Sequence, residues 1–251
     1  MTAVPVAPSS DDMRAIERLH VRAWPALETA VIGGWLWRYS GGGSQRANSV
    51  STVAFSGDDP AAALDEVEAR YRARGAPARI QTYDLTAPDG LTGLLQARRY
   101  GESEATTTLM KPVTARDLPA GVEIAATGDA AWREIYLAAI TESRRATNAK
   151  ILDAIPQPCA WFSCRRDGQV ISTGLCVADG AFAVVECMAT RADARRQGGA
   201  QAVLAGIEAW AATRGVRALA LQVVAANPPA VALYRGAGFI PVATNRFWVK
   251  N

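Results

Sequence analysis
The sequence predicts an α/β protein with a mixed sheet, arranged as two tandem copies of one plan. Two observations carry this. In the second half, short apolar runs rich in β-branched residues alternate with stretches of helical period. In addition, one ungapped shift lays four elements of the first half on four of the second. Ala61 falls on Ala200, a displacement of 139 residues. A constant offset across several elements is the mark of an internal repeat.

The first copy contains Gly33-Gly34-Trp35-Leu36-Trp37-Arg38-Tyr39. Trp35, Trp37 and Tyr39 alternate, which predicts a strand with one aromatic face. Gly41-Gly42-Gly43 then bends the chain towards Arg46-Ala47-Asn48-Ser49-Val50. Asp59-Pro60 is a helix start, because an acceptor side chain precedes a proline at the first helical position. Leu64, Val67 and Tyr71 supply the apolar positions of that helix. The strand Ala78 to Tyr83, the helix end Leu94 to Tyr100 and the strand Thr106 to Met110 follow. Under the shift they fall on Arg217 to Gln222, Leu233 to Phe239 and Asn245 to Val249. The seam lies in Lys111 to Pro119, where two prolines bracket a polar stretch. It divides the chain into residues 1–112 and 117–251.

In the second copy a helical stretch runs from Trp132 to Arg145. Phe182 to Thr190 is short, apolar and β-rich, so it predicts a buried strand. Arg195-Arg196-Gln197-Gly198-Gly199-Ala200 forms a glycine loop that opens a helix. Ala200, Val203, Leu204, Ile207 and Ala211 give that helix one apolar face. Val216 to Ala226 is a second buried-strand run. Asn227-Pro228-Pro229 caps and starts a further helix, with Ala230, Leu233 and Tyr234 on one side and Gly238 as the residue past its end.

A glycine loop ahead of a helix aims free N–H groups and the positive dipole end at one spot, which suits a phosphate. Gly198 and Gly199 permit close backbone approach, and Arg195 and Arg196 add fixed charge. The pattern Arg195-x-x-Gly198-x-Ala200 precedes Asn227-x-x-Ala230-x-x-Leu233-Tyr234-x-x-x-Gly238-Phe239. Together, in this order, they resemble the acetyl-CoA-binding core of the GNAT acetyltransferase superfamily. The resemblance implies two tandem GNAT-like domains and acetyl-CoA as acetyl donor. It implies that Met188, Ala189, Thr190, Arg195, Arg196, Gln197, Gly198, Gly199, Ala200, Gln201, Asn227 and Tyr234 hold that donor. It also implies direct transfer to a primary amine, with Tyr234 as the general acid for the leaving thiolate. A phenol, with a reference pKa near ~10, is protonated at neutral pH and can donate.

The first copy lacks this chemistry. Asp59-Pro60 stands where Gly198-Gly199 should be, Pro88 replaces Asn227, Leu95 replaces Tyr234 and Arg99 replaces Gly238. Asp59 would repel a pyrophosphate, so residues 1–112 resemble a degenerate GNAT-like domain. Their segment from Gly33 to Val50 is similar to a stretch of bacterial tandem GNAT-like proteins labelled as amino-acid or small-molecule N-acetyltransferases. That likeness implies a substrate role for Arg38, Arg46 and Asn48. A packed aromatic strand with a solvated hairpin accounts for the same residues.

The general base is the open position. Relatives place a Glu five residues before the motif Asn; here Gln222 stands there. An amide has no useful basicity, so Gln222 serves only to orient a water or the substrate. A polar side chain in an apolar strand also needs a partner. Glu186, two residues before Met188, is expected on the same strand face, with burial raising its pKa. A carboxylate paired with an Arg is the equal alternative. Glu142 and a water relay complete the candidates.

Composition bounds the function. The chain has 251 residues, 49% of them apolar, which excludes a disordered protein. A net charge of +3 without a Lys/Arg block argues against nucleic acid as the default partner. Met1 to Ser10 does not read as a signal peptide, and no run reaches the ~18 apolar residues of a membrane span. Four cysteines without C-x-x-C spacing read as reduced thiols, and the expected location is cytoplasmic. One histidine, His20, is too few for a His-based metal site, so no metal is expected. The expected acceptor is a small metabolite or amino acid, and monomer and homodimer both fit. Two rivals stand: a non-catalytic acyl-CoA sensor, and a transferase acting on a protein or charged-tRNA amine.

Overall fold
A computed structural model describes residues 8–251. Most of Met1 to Ser10, the segment that does not read as a signal peptide, lies outside them. The first half runs α1 (Ser10–Ala23), β1 (Glu28–Ile32), β2 (Trp35–Tyr39), β3 (Val50–Ser51), α2 (Pro60–Arg72), β4 (Ala78–Thr82), α3 (Leu91–Ala97) and β5 (Gly101–Pro112). The second runs β6 (Val122–Ala125), α4 (Ala130–Ala138), α5 (Glu142–Asp153), β7 (Cys159–Arg166), β8 (Gln169–Asp179), β9 (Phe182–Thr190), α6 (Gly199–Ala212), β10 (Ala218–Val224), α7 (Pro228–Gly236) and β11 (Ile240–Lys250).

The local signals work as their chemistry demands. Asp59 caps α2 through its carboxylate, which accepts from the N–H groups of Ala61 and Ala62. Asn227 caps α7, its Oδ1 accepting from Ala230 N at 3.3 Å. Gly238, at φ 90°, sits just past the end of α7. One expectation is corrected. The helical stretch from Trp132 to Arg145 is two helices, because Thr141, with ψ 142°, leaves the helical region between α4 and α5.

The described strands form one mixed sheet of eleven, ordered β1-β2-β3-β4-β11-β5-β10-β9-β8-β7-β6. The repeat is visible in it. α2 and α6 start at Pro60 and Gly199, and β5 and β11 start at Gly101 and Ile240, each pair 139 residues apart. The final strands are exchanged between the halves. β5 pairs antiparallel with β10 from Pro112↔Ala218 to Thr106↔Val224. β11 pairs antiparallel with β4 from Thr82↔Arg246 to Ala78↔Lys250. The two exchanged strands also pair with each other. The sheet therefore runs unbroken through the seam, and β5 borders the strand that leads to Asn227.

Helices cover both faces. α6 and α7 pack on one face of the second half, over Leu109, Phe162, Val185, Leu219 and Leu221. α1, α4 and α5 share the opposite face, with Ile16, Leu19, Trp132, Ile151, Val184 and Ala220 in its core. α1 thus belongs to the first half by sequence but packs on β8 and β9 of the second. Its start is a capping box: Ser9 Oγ accepts from Asp12 N and Asp12 Oδ2 accepts from Ser9 N, both at 3.1 Å. Burying Ile16 and Leu19 contributes about 1.5–3 kcal/mol each, enough to hold α1 against the foreign strands. Trp35 and Trp37 pack with α2 and α3 in a third core.

Candidate active site
β9 and β10 pair in parallel only from Phe182↔Ala218 to Val184↔Ala220; beyond these residues no pairing joins them. β9 also carries a bulge. Its register with β8 jumps from Glu186↔Leu175 to Ala189↔Thr173, and Cys187 takes φ 54°. The extra residue breaks the two-residue alternation. Glu186 and Cys187 both turn to the α1 face, while Met188 packs on the α6 face beside Val203. This corrects the expectation that Glu186 and Met188 share a face.

Below the parting strands lies the start of α6. Gly198 has φ 83° and caps the helix without any side-chain bond. A Cβ there would meet nothing within 4 Å. The first-turn N–H groups of α6 therefore remain available to a ligand. Gly199 is glycine for a different reason: a Cβ would lie 3.0 Å from Ser172 Cβ, where helix and strand pack together. Arg195 and Arg196 are exposed and form no ion pair among the described residues. Gln197 is occupied, since its Oε1 and its carbonyl oxygen each accept from the Arg166 guanidinium at 2.9 Å. Ala200 and Gln201 fill the first turn of α6. Thr190 shares a hydroxyl bond with Ser172 at 2.8 Å, and Ala189 O accepts from Ser172 Oγ at 2.9 Å.

Tyr234 is half-buried on α7, with its ring edge-on to Phe239 at 6.0 Å. Its hydroxyl makes no hydrogen bond among the described residues. Burial, then the nearby Glu186 carboxylate and Cys187, push it up to about 12. It is thus a proton donor, not an acceptor, at neutral pH.

The α1 face is polar where the strands part. Glu186 takes a two-pronged bond from Arg46, at 2.7 and 2.6 Å, with His20 Nδ1 at 3.6 Å. Burial alone would raise the carboxyl, but Arg46 and His20 outweigh it and hold Glu186 at about 2. The expectation of a raised pKa is therefore reversed, because the strand brings its carboxylate to a guanidinium. Gln222 finds its partner in Glu17: Nε2 donates to Glu17 Oε2 at 3.1 Å. Glu17, buried on α1, also accepts from Thr108 Oγ1 and Asn245 Nδ2, each at 3.0 Å. Glu142 is exposed in the first turn of α5.

A family model for "Probable histone acetyltransferase Rv0428c C-terminal" matches residues 10–248. The protein belongs to this family. It is a GNAT-type N-acetyltransferase. The chain is 28% identical to "Uncharacterized N-acetyltransferase YobR" of Bacillus subtilis (strain 168), over 96% of this chain and 100% of that one. Two solved structures share its fold. A GCN5-related N-acetyltransferase from Kribbella flavida superposes with a TM-score of 0.69 at 20% identity, covering 94% of this chain and 95% of that one. A tandem GNAT protein from the clavulanic acid biosynthesis pathway gives a TM-score of 0.61 at 13% identity, covering 99% and 90%.

In this acetyltransferase the residues expected from sequence to hold the donor lie at the end of β9, at the start of α6 and on α7, which follows β10. The first-half residues divide. Arg46 reaches Glu186 from a 3-10 turn, Arg46–Asn48. Asn48 organises the glycine bend: its Oδ1 accepts from Ser40 N at 2.8 Å and its Nδ2 donates to the carbonyls of Gly42 and Ser44. Arg38 is buried, donates to Ser49 and Gln81, and lines a cavity of about 470 Å³ with Arg18, Val21, Leu36 and Val53. Sequence reasoning missed Glu17 and His20. The available signal was two polar residues on the apolar stripe of α1, next to Ile16 and Leu19. Among the described residues no helix is long and apolar enough to cross a membrane, and no group of three potential metal ligands occurs.

Proposed function
We propose that this acetyltransferase takes the acetyl group of acetyl-CoA and passes it directly to a primary amine of a small metabolite or amino acid. The observation that supports it most is the parting of β9 and β10 above the uncapped start of α6, with the Tyr234 hydroxyl free beside it. The α6 N–H groups, Arg195 and Arg196 suit the pyrophosphate, and Asn227 and Met188 to Thr190 line the path of the pantetheine arm. A backbone N–H of Met188 to Thr190 polarises the thioester oxygen. The amine nitrogen attacks the carbonyl carbon, a C–N bond forms and the C–S bond breaks. The leaving thiolate takes the Tyr234 proton, and the proton shed by nitrogen passes to water and restores the phenol. At about 2, Glu186 has too little affinity for a proton to draw one from an amine. We assign it, with Arg46, to holding the bulged strand in place.

A small acceptor fits because α1, α4, α5 and the Arg46 turn cover the face on which the amine must arrive. A second reading, acetylation of a protein amine, has one observation in its favour: the description of the matching family model. One experiment separates them. The purified protein is given acetyl-CoA with small primary amines, amino acids, histone-tail peptides and aminoacyl-tRNA, following free thiol and product mass. Transfer to small amines is the expected result. Transfer to peptides alone selects the second reading. Tight acetyl-CoA binding with no transfer at all overturns both.

A further inference from the structure
Gln222 is held in one orientation by a carboxylate, and that orientation leaves an acceptor without a partner. It sits two residues past Ala220, the last β10 residue paired with β9, on the face covered by α1. Glu17 accepts from three neutral donors: Gln222 on β10, Thr108 on β5 and Asn245 on β11. It forms no ion pair among the described residues, and the cation that acts on it through space is the buried Arg38 guanidinium. An ionised carboxylate only accepts. Turning the Gln222 amide over would set oxygen against oxygen, so the amide is locked with Nε2 towards Glu17. Its Oε1 is thereby forced the other way, where it is buried and without a hydrogen-bond partner. An unmet buried acceptor costs free energy, and a donor arriving with a ligand would remove that cost.

Resting on the acetyl-transfer reading, we infer that Gln222 Oε1 is the docking atom for the acceptor amine, and that Glu17 is its positioning residue. The N–H of the incoming amine donates to Oε1. The carboxylate of Glu17 lies behind the amide, and its negative charge favours an approaching ammonium over a neutral or anionic group. The specificity is for a primary amine that arrives as its ammonium: one proton passes to water before attack, and of the two N–H bonds that remain one donates to Oε1 while the freed lone pair faces the thioester. Glu17 does not touch the substrate. It acts by forbidding the amide flip and by its field.

The test uses the full chain with acetyl-CoA and, in turn, phenethylamine, n-hexylamine, spermidine and L-lysine methyl ester, working with the fastest. Glu17→Gln lets the Gln222 amide turn over, and Gln222→Leu removes the docking atom. Each should raise the amine KM by roughly 10- to 100-fold, the scale of a hydrogen bond with a charged partner. The acetyl-CoA Kd should stay within about twofold. The double variant should lose no more than the worse single, since both act through one atom. A purely structural Glu17 would lower stability and leave this KM-against-Kd split untouched. If Glu17→Gln does not fold, Gln222→Leu and Gln222→Asn, at a half-buried position, carry the same measurement. An unchanged amine KM in the folded variants, or losses that multiply, overturns the inference. A wild-type protein that acetylates none of the four amines counts against the proposed function. Docking is then read from the 15N signal of the Gln222 side-chain amide on adding phenethylamine with CoA. A shift in wild type that is lost in Glu17→Gln sustains the inference, and no shift overturns it.

Discussion

Replacing Arg46 with Met tests how the two halves are locked together at the site. The substitution keeps most of the side-chain volume but strands the Glu186 carboxylate, which is buried. Lowering a carboxyl from 4.5 to about 2, at ~1.36 kcal/mol per unit of pH, is a stabilisation of about 3 kcal/mol. Removing one partner of a buried pair costs about 3–5 kcal/mol by independent reasoning, so the two routes agree in order of magnitude. The sign is specific. A depressed carboxyl stabilises above its ordinary value, so the wild-type contribution is present above about 4.5 and is lost as pH falls towards about 2. In Arg46→Met the largest remaining influence is burial, which raises the carboxyl, so this group should instead favour folding as pH falls from neutral. Urea unfolding from pH 3 to 8 reads both effects. Arg46→Met should lose about 3 kcal/mol at pH 7, and Arg46→Met with Glu186→Gln should regain part of it. A variant within about 1 kcal/mol of wild type, with an unaltered pH slope, refutes the reasoning.

In Gly198→Glu the Cβ meets nothing within 4 Å but φ 83° strains any side chain, by about 1–2 kcal/mol; the variant should fold with that loss and weaken acetyl-CoA binding by about 100-fold or more in calorimetry by setting bulk and charge at the phosphate; tight binding by the folded variant removes this loop from the site. Tyr234→Phe should keep acetyl-CoA affinity and slow single-turnover transfer by roughly 10–10⁴-fold; an unchanged rate takes the phenol out of the mechanism. Leu36→Trp narrows the cavity of about 470 Å³ beside α1 and should raise the amine KM without moving the acetyl-CoA Kd; an unmoved amine KM shows that the body of the acceptor lies elsewhere. A fragment of residues 117–251 lacks β5 and α1, so it bares the β10 edge and the apolar surface of β8 and β9; it should show no cooperative thermal transition, and a soluble, cooperative monomer would show that this half stands alone.

The parts of the fold legible in the sequence are those whose signals are local. β9, α6, β10 and α7 each carry their own pattern of burial, cap and glycine, and all fall where those patterns put them. The shift of 139 residues was readable because it preserves element order. What escaped depends on partners far away in the chain. The apolar alternation of β5 and β11 says that each is a strand, not that each joins the other half. The bulge at Cys187 has no glycine or proline to announce it, so Glu186 was assigned to the wrong face. Arg46 meets Glu186 across 140 residues, and Gln222 meets Glu17 across 205. A lone Gln in an apolar strand showed that a partner must exist but not which one. α1 was missed although Ser9-x-x-Asp12 stands at its start, because its stripe is interrupted by Glu17 and His20. The interruption was itself the signal of the polar contacts that α1 makes with Glu186 and Gln222.

The exchange of final strands brings a first copy without the donor motifs into contact with the polar cluster around Gln222. Gln222 lies on β10, Thr108 on β5 and Asn245 on β11, three consecutive strands of the sheet, and the exchange sets β5 directly beside β10. Glu17 completes the set from α1, which leaves its own half to cover β8 and β9. Of the four groups, Thr108 and Glu17 belong to the first half of the sequence and Gln222 and Asn245 to the second. The donor side has the opposite make-up, since the glycine loop, Asn227 and Tyr234 all come from the second half. In the proposed function the donor is thus held by the second half alone and the amine by residues of both halves. The proposed function therefore predicts that Glu17→Gln moves the amine KM alone, whereas Arg46→Met, which releases the bulged β9 beside Met188, moves acetyl-CoA affinity as well.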